Sequence, residues 1–234
     1  EILIRSSNVG SVILARKVGE KNYKQFIKKT KLTENPSIEL EEVGVPHKLS
    51  WNKCKLETIS YGHGITTTPL QATVLYAAMG NGGKLIEPSL IKNKKIKESK
   101  KIISSDTSKK LTKILRKVVS SKDGTASLAD IDGYYVGGKT GTAESYGDGK
   151  NRINTFISLF PSNKPNYTLF VMLENPKINE NLIYNYRGIK TKAPYNTSGW
   201  NSVYVAGKII EKIGPILAIN NKEFTGQYVV EKIN

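Results

Sequence analysis

The sequence predicts an α+β fold, an antiparallel sheet packed with helices, on three observations. Apolar residues recur at helical spacing over the first thirty positions and again in two later segments. Three strand-forming runs then follow one another, two of them joined by a short turn. A final amphipathic segment closes the pattern. Helices, a run of neighbouring strands and a closing helix belong to the α+β class, because successive strands without intervening helices pair antiparallel.

Taken in order, Val9, Val12, Ile13 and Val18 space a first helix after Ser6-Ser7-Asn8, and "EKNYKQFIKKT" continues as a second after Gly19. Residues 32–59 are polar and hold Pro36, Gly44 and Pro46, so an irregular stretch is expected. "SYGHGITTTPLQATVLYAAMGNGG" gives a Gly-rich loop, Pro69 at a helix start, an Ala-rich helix and a Gly-Asn-Gly-Gly stop. In "TSKKLTKILRKVVSS" Leu111, Ile114, Leu115 and Val118 share one helical face. Strands are expected over residues 134–143, 154–160 and 167–174, with "PSNKPN" turning between the last two. The closing helix places Val203, Ala206, Ile209, Ile210 and Ile213 together, with Gly214-Pro215 as its stop.

Composition narrows the function. The 234 residues are 38% hydrophobic, enough for a substantial core. No apolar run approaches the ~20 residues that span a bilayer, so any anchor is expected outside this sequence. One cysteine, Cys54, excludes an internal disulfide, and two histidines, His47 and His63, leave no zinc set. The formal charge of +16 invites a nucleic-acid reading. Against it, the cluster "KNKKIKESKK" has no interleaved aromatics for base stacking, and a solvated loop is expected there. Cys54, Trp51 and Trp200 are expected to serve packing.

The stretch "GYYVGGKT", residues 133–140, fits the phosphate-loop pattern letter for letter. That loop requires a buried strand before its first glycine and a helix beginning at its lysine, since the helix N-terminus supplies the anion site. Here "GTASLADID" precedes it and the glycine-rich "GTAESYGDGKN" follows, so it reads as a strand entering a hairpin. What remains is Lys139-Thr140-Gly141-Thr142 on a strand, and Ser6-x-Asn8 at a helix start. Alone, Ser6-Ser7-Asn8 is an ordinary N-cap and Lys139 a solvated strand lysine.

Together, in this order and on these elements, the two motifs are two of the three that mark the penicillin-recognising serine enzymes. With "DGTASLADIDGYYVGGKTGTAE" and "SYGHGITTTPLQ" around them, the sequence closely resembles the transpeptidase domain of class B penicillin-binding proteins. The end, "TSGWNSVYVAGKIIEKIGPILAI", looks like the C-terminal helix of the division-type members. The resemblance covers residues 1–219 and leaves a tail, 220–234, unassigned. It implies a penicillin-binding transpeptidase or β-lactamase-like fold, here incomplete, and a peptidoglycan D,D-transpeptidase that cross-links stem peptides during division and is a target of β-lactams. It implies no metal or nucleotide cofactor. Stem peptides, β-lactams and division-machinery proteins are the implied partners, and the periplasmic face of the inner membrane the implied site.

By the same resemblance Ser6 shuttles a proton to the leaving amine, Asn8 holds the substrate's peptide group, and Lys139 supplies charge beside Ser6. Thr140 and Thr142 offer hydroxyls to a terminal carboxylate, the Thr142 N–H forms half of an oxyanion hole, and Gly138 and Gly141 allow close approach. The family's Ser-x-x-Lys nucleophile precedes Ser-x-Asn, whereas the two matches here, Ser50 with Lys53 and Ser89 with Lys92, follow it. The nucleophile is therefore expected outside this sequence. His63, without a nucleophile or an orienting carboxylate, is expected to be a loop residue. A β-lactamase or β-lactam-sensing relative shares these motifs, and a cationic binding module is the non-enzymatic rival; deacylation rates and salt-dependent DNA binding separate them.

Overall fold

The computed structural model describes residues 1–94, 100–146 and 150–220. Its centre is an antiparallel sheet in the order β3 (Gly137–Tyr146), β4 (Lys150–Phe160), β5 (Tyr167–Glu174). Helices α4 (Pro69–Gly80), α5 (Ser105–Ser120) and α6 (Ser202–Asn220) pack on it, while α1 (Asn8–Val18) packs with α2 (Glu20–Thr30) and α3 (Lys55–Ser60). Two short ribbons, β1 (Lys84–Leu85) with β2 (Lys100–Lys101) and β6 (Tyr184–Tyr186) with β7 (Ile189–Thr191), and two single 3-10 turns, Ser127–Ala129 and Ser198–Trp200, are also present among the described residues. The expected α+β architecture is observed.

β4 is buried on both faces. Asn154, Phe156, Ser158 and Phe160 alternate on one face and are all buried, while Leu159 is buried on the other, where Gly80 of α4 approaches. Phe156 and Phe160 pack with Val118 and Val119 of α5, Val136, Val171 and the α6 residues Val203, Ala206 and Ile210. Three helices begin on side-chain caps: Ser7 accepts from Gly10 N ahead of α1, Thr68 from Gln71 N ahead of α4, and Ser104 from Thr107 N ahead of α5. Pro69 occupies the first turn of α4, where its missing N–H costs nothing.

Several elements depart from the sequence reading. The stretch 32–59 holds the short helix α3, tied to α1 by a 3.1 Å Arg16–Glu57 ion pair. β3 starts at Gly137, not Tyr134, because Tyr135 is left-handed (φ 46°) and the Tyr134 ring lies against Gly214 of α6. A Cβ on Gly214 would sit 2.2 Å from that ring, so this glycine serves packing, and α6 runs on through Pro215 to Asn220. Ile213 and Leu217 on either side pack on the core and outweigh the backbone bond that Pro215 forgoes. Cys54 is exposed and left-handed at the start of α3, outside the core where packing was expected. α1 forms as expected, yet Val9, Ile13 and Val18 are exposed, at 72%, 51% and 48%. The lysine-rich run 92–101 contributes Lys100 and Lys101 to β2, and its residues 95–99 lie outside the described residues, as does the tail 221–234.

Among the described residues β3 pairs only with β4, so its other edge is open. The register sets Lys139 opposite Ile157, Thr140 opposite Phe156 and Thr142 opposite Asn154. Gly138 has a reason internal to the sheet: a Cβ there would lie 2.6 Å from both the Ile157 carbonyl oxygen and a Phe156 ring atom. Gly138→Ala should therefore cost about 3 kcal/mol by overpacking. Gly19→Ala, whose Cβ meets nothing and whose penalty is its positive φ alone, should cost about 1 kcal/mol. Urea unfolding of the two variants checks the order.

Candidate active site

Ser6, Ser7 and Asn8 divide two jobs between them. Ser7 is the N-cap of α1, its hydroxyl accepting from Gly10 N at 3.1 Å. Ser6, one residue earlier, is left-handed at φ 56° and exposed. Such a conformation is unfavourable for a residue with a Cβ, and here it directs the Ser6 hydroxyl away from the helix toward β3. Asn8 opens α1 and lines the same cleft. The capping reading and the functional reading of "SSN" are thus both met, by different residues.

Across the cleft, Lys139 Nζ donates to Ser6 Oγ at 2.7 Å and to the Thr140 carbonyl oxygen at 3.0 Å. Burial pulls its pKa down from 10.5 to about 8, since the ammonium has surrendered much of its water. Strand alternation puts Lys139 on one side of β3 and Thr140 and Thr142 on the other, so the open edge between them carries both. Thr140 Oγ1 is 2.9 Å from Thr125 Oγ1, and Thr142 Oγ1 is 2.9 Å from Ser198 Oγ. Ser198 also hydrogen-bonds the Gly141 carbonyl, as does Thr155 at 3.3 Å. A Cβ on Gly141 would meet Thr155 Oγ1 at 2.5 Å, so close cross-strand packing requires glycine there too.

The resulting cleft has a volume of about 910 Å³ and is lined by Ser6, Asn8, Lys139, Thr140, Gly141 and Thr142, whereas Gly138, also named in the sequence reading, is buried and does not line it. Its chemistry is a cation flanked by hydroxyls beside an open strand edge. That arrangement can bind an extended chain along β3 and hold a carboxylate at one end. Ser50 and Ser89 do not line it: Ser50 is exposed, and Ser89 Oγ donates to Glu39 at 2.6 Å in a surface loop. Among the described residues no group of three or more His, Cys, Asp or Glu is placed to hold a metal ion, and no helix is long and apolar enough to cross a membrane.

Sequence reasoning missed the walls. On one side stands the loop bearing Tyr61 and His63, whose rings stack at 6.4 Å; Lys55 Nζ supports it by donating to the Gly64 carbonyl at 2.5 Å. His63, expected as a loop residue, therefore faces the cleft. On the other side Tyr186 and Trp200 stack at 4.9 Å, so Trp200 both packs and lines the site. The only sequence signal for the first wall was the pair of glycines around His63, both of which take positive φ.

The chain matches the family model of the penicillin binding protein transpeptidase domain over residues 1–197. It is 31% identical over 237 residues to the probable peptidoglycan D,D-transpeptidase FtsI of Caulobacter vibrioides, covering 95% of this chain and 38% of that protein. It is 32% identical over 196 residues to the stage V sporulation protein D of Bacillus subtilis, covering 76% and 30%. The chain thus spans about a third of the length of these relatives. Among solved structures, the transpeptidase domain of Burkholderia pseudomallei penicillin-binding protein 3 superposes with a TM-score of 0.76 at 20% identity, covering 92% of this chain and 63% of that one. Penicillin-binding protein 3 of Mycobacterium tuberculosis, solved in complex with ampicillin, gives 0.76 at 24% identity, covering 91% and 50%. With both partners of the Ser6–Lys139 contact inside the matched region, the chain belongs to the penicillin-binding protein transpeptidase family, on its class B branch.

Proposed function

We propose that this chain is the C-terminal part, residues 1–219, of a division-type peptidoglycan D,D-transpeptidase acting on the periplasmic face of the inner membrane. The observation that carries the reading is the 2.7 Å contact from a half-buried lysine to Ser6, flanked by the Thr140 and Thr142 hydroxyls. The substrate is a stem peptide ending in D-Ala-D-Ala, and β-lactams occupy the same cleft as its mimics. Division-machinery proteins are its partners in the cell. The serine nucleophile belongs to a segment outside this sequence, since neither Ser50 nor Ser89 reaches the cleft.

The scissile chain lies along the open edge of β3, and its terminal carboxylate meets Lys139, Thr140 and Thr142. Asn8 accepts and donates to the substrate's peptide group from the first turn of α1. As the nucleophile's oxygen bonds to the carbonyl carbon, its hydroxyl proton passes to the neutral lysine of its own Ser-x-x-Lys segment, and the Thr142 N–H stabilises the oxyanion. Collapse of that intermediate expels the D-Ala amine, which takes a proton from Ser6 Oγ, and Lys139 returns one to Ser6. An amine of a second stem peptide then attacks the acyl carbon and loses a proton to neutral Lys139 by way of Ser6, while the departing serine oxygen takes its proton back from the lysine of its own segment.

Lys139→Ala in the protein with its upstream segment should slow acylation by a fluorescent penicillin at least about a hundredfold, because it removes both the charge and the proton donor at Ser6. Unchanged acylation kinetics would take Lys139 out of the site. Thr140→Val keeps the branched shape and loses the hydroxyl, so it should weaken carboxylate binding about fivefold with the fold retained. Unfolding of that variant by circular dichroism would make Thr140 structural.

The depressed lysine sets two opposite pH trends. Binding of a carboxylate ligand needs the ammonium, so affinity should fall about tenfold between pH 7 and pH 9 as Lys139 loses its proton at about 8. Over the window from about 8 to 10.5 the unfolded chain keeps a proton that the folded chain gives up, so this group's contribution to stability rises with pH there. Calorimetric titration and urea unfolding across that range measure the two trends separately.

A further inference from the structure

Ser198 is a buried serine, 1% exposed, in the turn that precedes α6, and its proton can be assigned by donor accounting. The hydroxyl has one hydrogen, and it goes to the Gly141 carbonyl oxygen, which can only accept. The 2.9 Å contact between Ser198 Oγ and Thr142 Oγ1 must then carry the Thr142 hydrogen, with Ser198 accepting. In return Ser198 N donates to Thr142 Oγ1 at 3.4 Å. Thr142 is therefore clasped in both directions: its only hydrogen points at Ser198, and only a lone pair is left for the cleft. Thr142 itself is exposed to the cleft.

The other hydroxyl pair is not bound in this way. Thr125 and Thr140 are 2.9 Å apart, and either can donate, so Thr140 can turn its hydrogen to a ligand while accepting from Thr125. The same turn lies close to this pair, since a Cβ on Gly199 would be 2.8 Å from the Thr125 carbonyl oxygen. The two threonines of the Lys-Thr-Gly-Thr strand thus differ in readiness: Thr140 is free to donate and Thr142 is held as an acceptor.

We propose that Ser198 is a positioning residue that holds the Thr142 hydroxyl hydrogen and releases it when a carboxylate ligand arrives. This rests on the carboxylate role given to Thr142 above. A carboxylate offers only acceptor atoms, so it gains the Thr142 hydrogen bond only by drawing that hydrogen from Ser198. A terminal carboxamide carries donors and meets the Thr142 lone pair without any exchange. The clasp therefore narrows the preference for an acid terminus over an amide, and Ser198 sets how strongly the cleft discriminates between them.

The test uses this chain and two probes, diacetyl-L-Lys-D-Ala-D-Ala as the free acid and as the C-terminal amide, with dissociation constants from NMR titration. Ser198→Ala removes the competing acceptor, so the ratio of acid to amide affinity should rise about fivefold, the weight of one hydrogen bond. In a Thr142→Val background the same substitution should leave the ratio unchanged, which a residue that merely supports the fold would not do. Ser198→Cys, near in size with a weaker acceptor, should move the ratio the same way and stands in if the alanine variant does not fold. An unchanged or reduced ratio on Ser198→Ala in the chain that retains Thr142 overturns the positioning role while leaving the carboxylate site intact. Failure of the unsubstituted chain to favour the acid over the amide overturns the carboxylate reading, and this proposal with it.

Discussion

The pairing of β3 with β4 is the constraint on which the site depends. β4 is fixed by burial, with Phe156 and Phe160 inside the core and Leu159 inside the opposite face. Its register then dictates where each member of the Lys-Thr-Gly-Thr strand stands. A slip of one residue would exchange the sides of Lys139 and the two threonines, because side chains alternate along a strand. The lysine would then face the Thr125 and Ser198 hydroxyls, and Ser6 would lose its partner. The hydrophobic face of β4 is thus what aims a cation at a serine on a different element.

The cleft also shows a local conflict between folding and chemistry. Lys139 is held where burial disfavours its charge, and Ser6 takes a backbone conformation that a serine adopts at a cost. Neither feature helps the chain fold. Both bring the ammonium and the hydroxyl to hydrogen-bonding distance without a carboxylate to neutralise the lysine, as no ion pair to Lys139 is present among the described residues. A lysine with a carboxylate partner would keep its proton at all working pH values and would have little attraction left for a ligand's negative charge.

Much of this arrangement was legible in the sequence, for reasons of range. The helix start at Pro69 is written in neighbouring residues, as are the Ser-x-Asn and Lys-Thr-Gly-Thr motifs. What was not legible depends on partners distant in the chain. Ser198 meets Thr142 across 56 positions, and nothing in "TSGW" marks that contact. Pro215 carries the ordinary signal for a helix end, and only the packing of Ile213 and Leu217 on the core overrides it. The start of β3 was misplaced because Tyr134 and Tyr135 have strand propensity, while the fit of the Tyr134 ring against Gly214 decides their conformation. The apolar stripe of α1 was read correctly as helical, but periodicity alone does not say what a stripe is buried against.

The two residues that meet at the centre of the cleft are separated by 133 positions. Closing a loop of that length carries an entropic penalty that local structure does not repay, so contacts of this kind form late in folding. The hairpins of the central sheet close over far shorter spans and can assemble first. A chain could thus bury its core and acquire most of its secondary structure while its cleft is still unmade. Recovery of ligand binding, not recovery of helical signal, would then mark completion of folding in this protein.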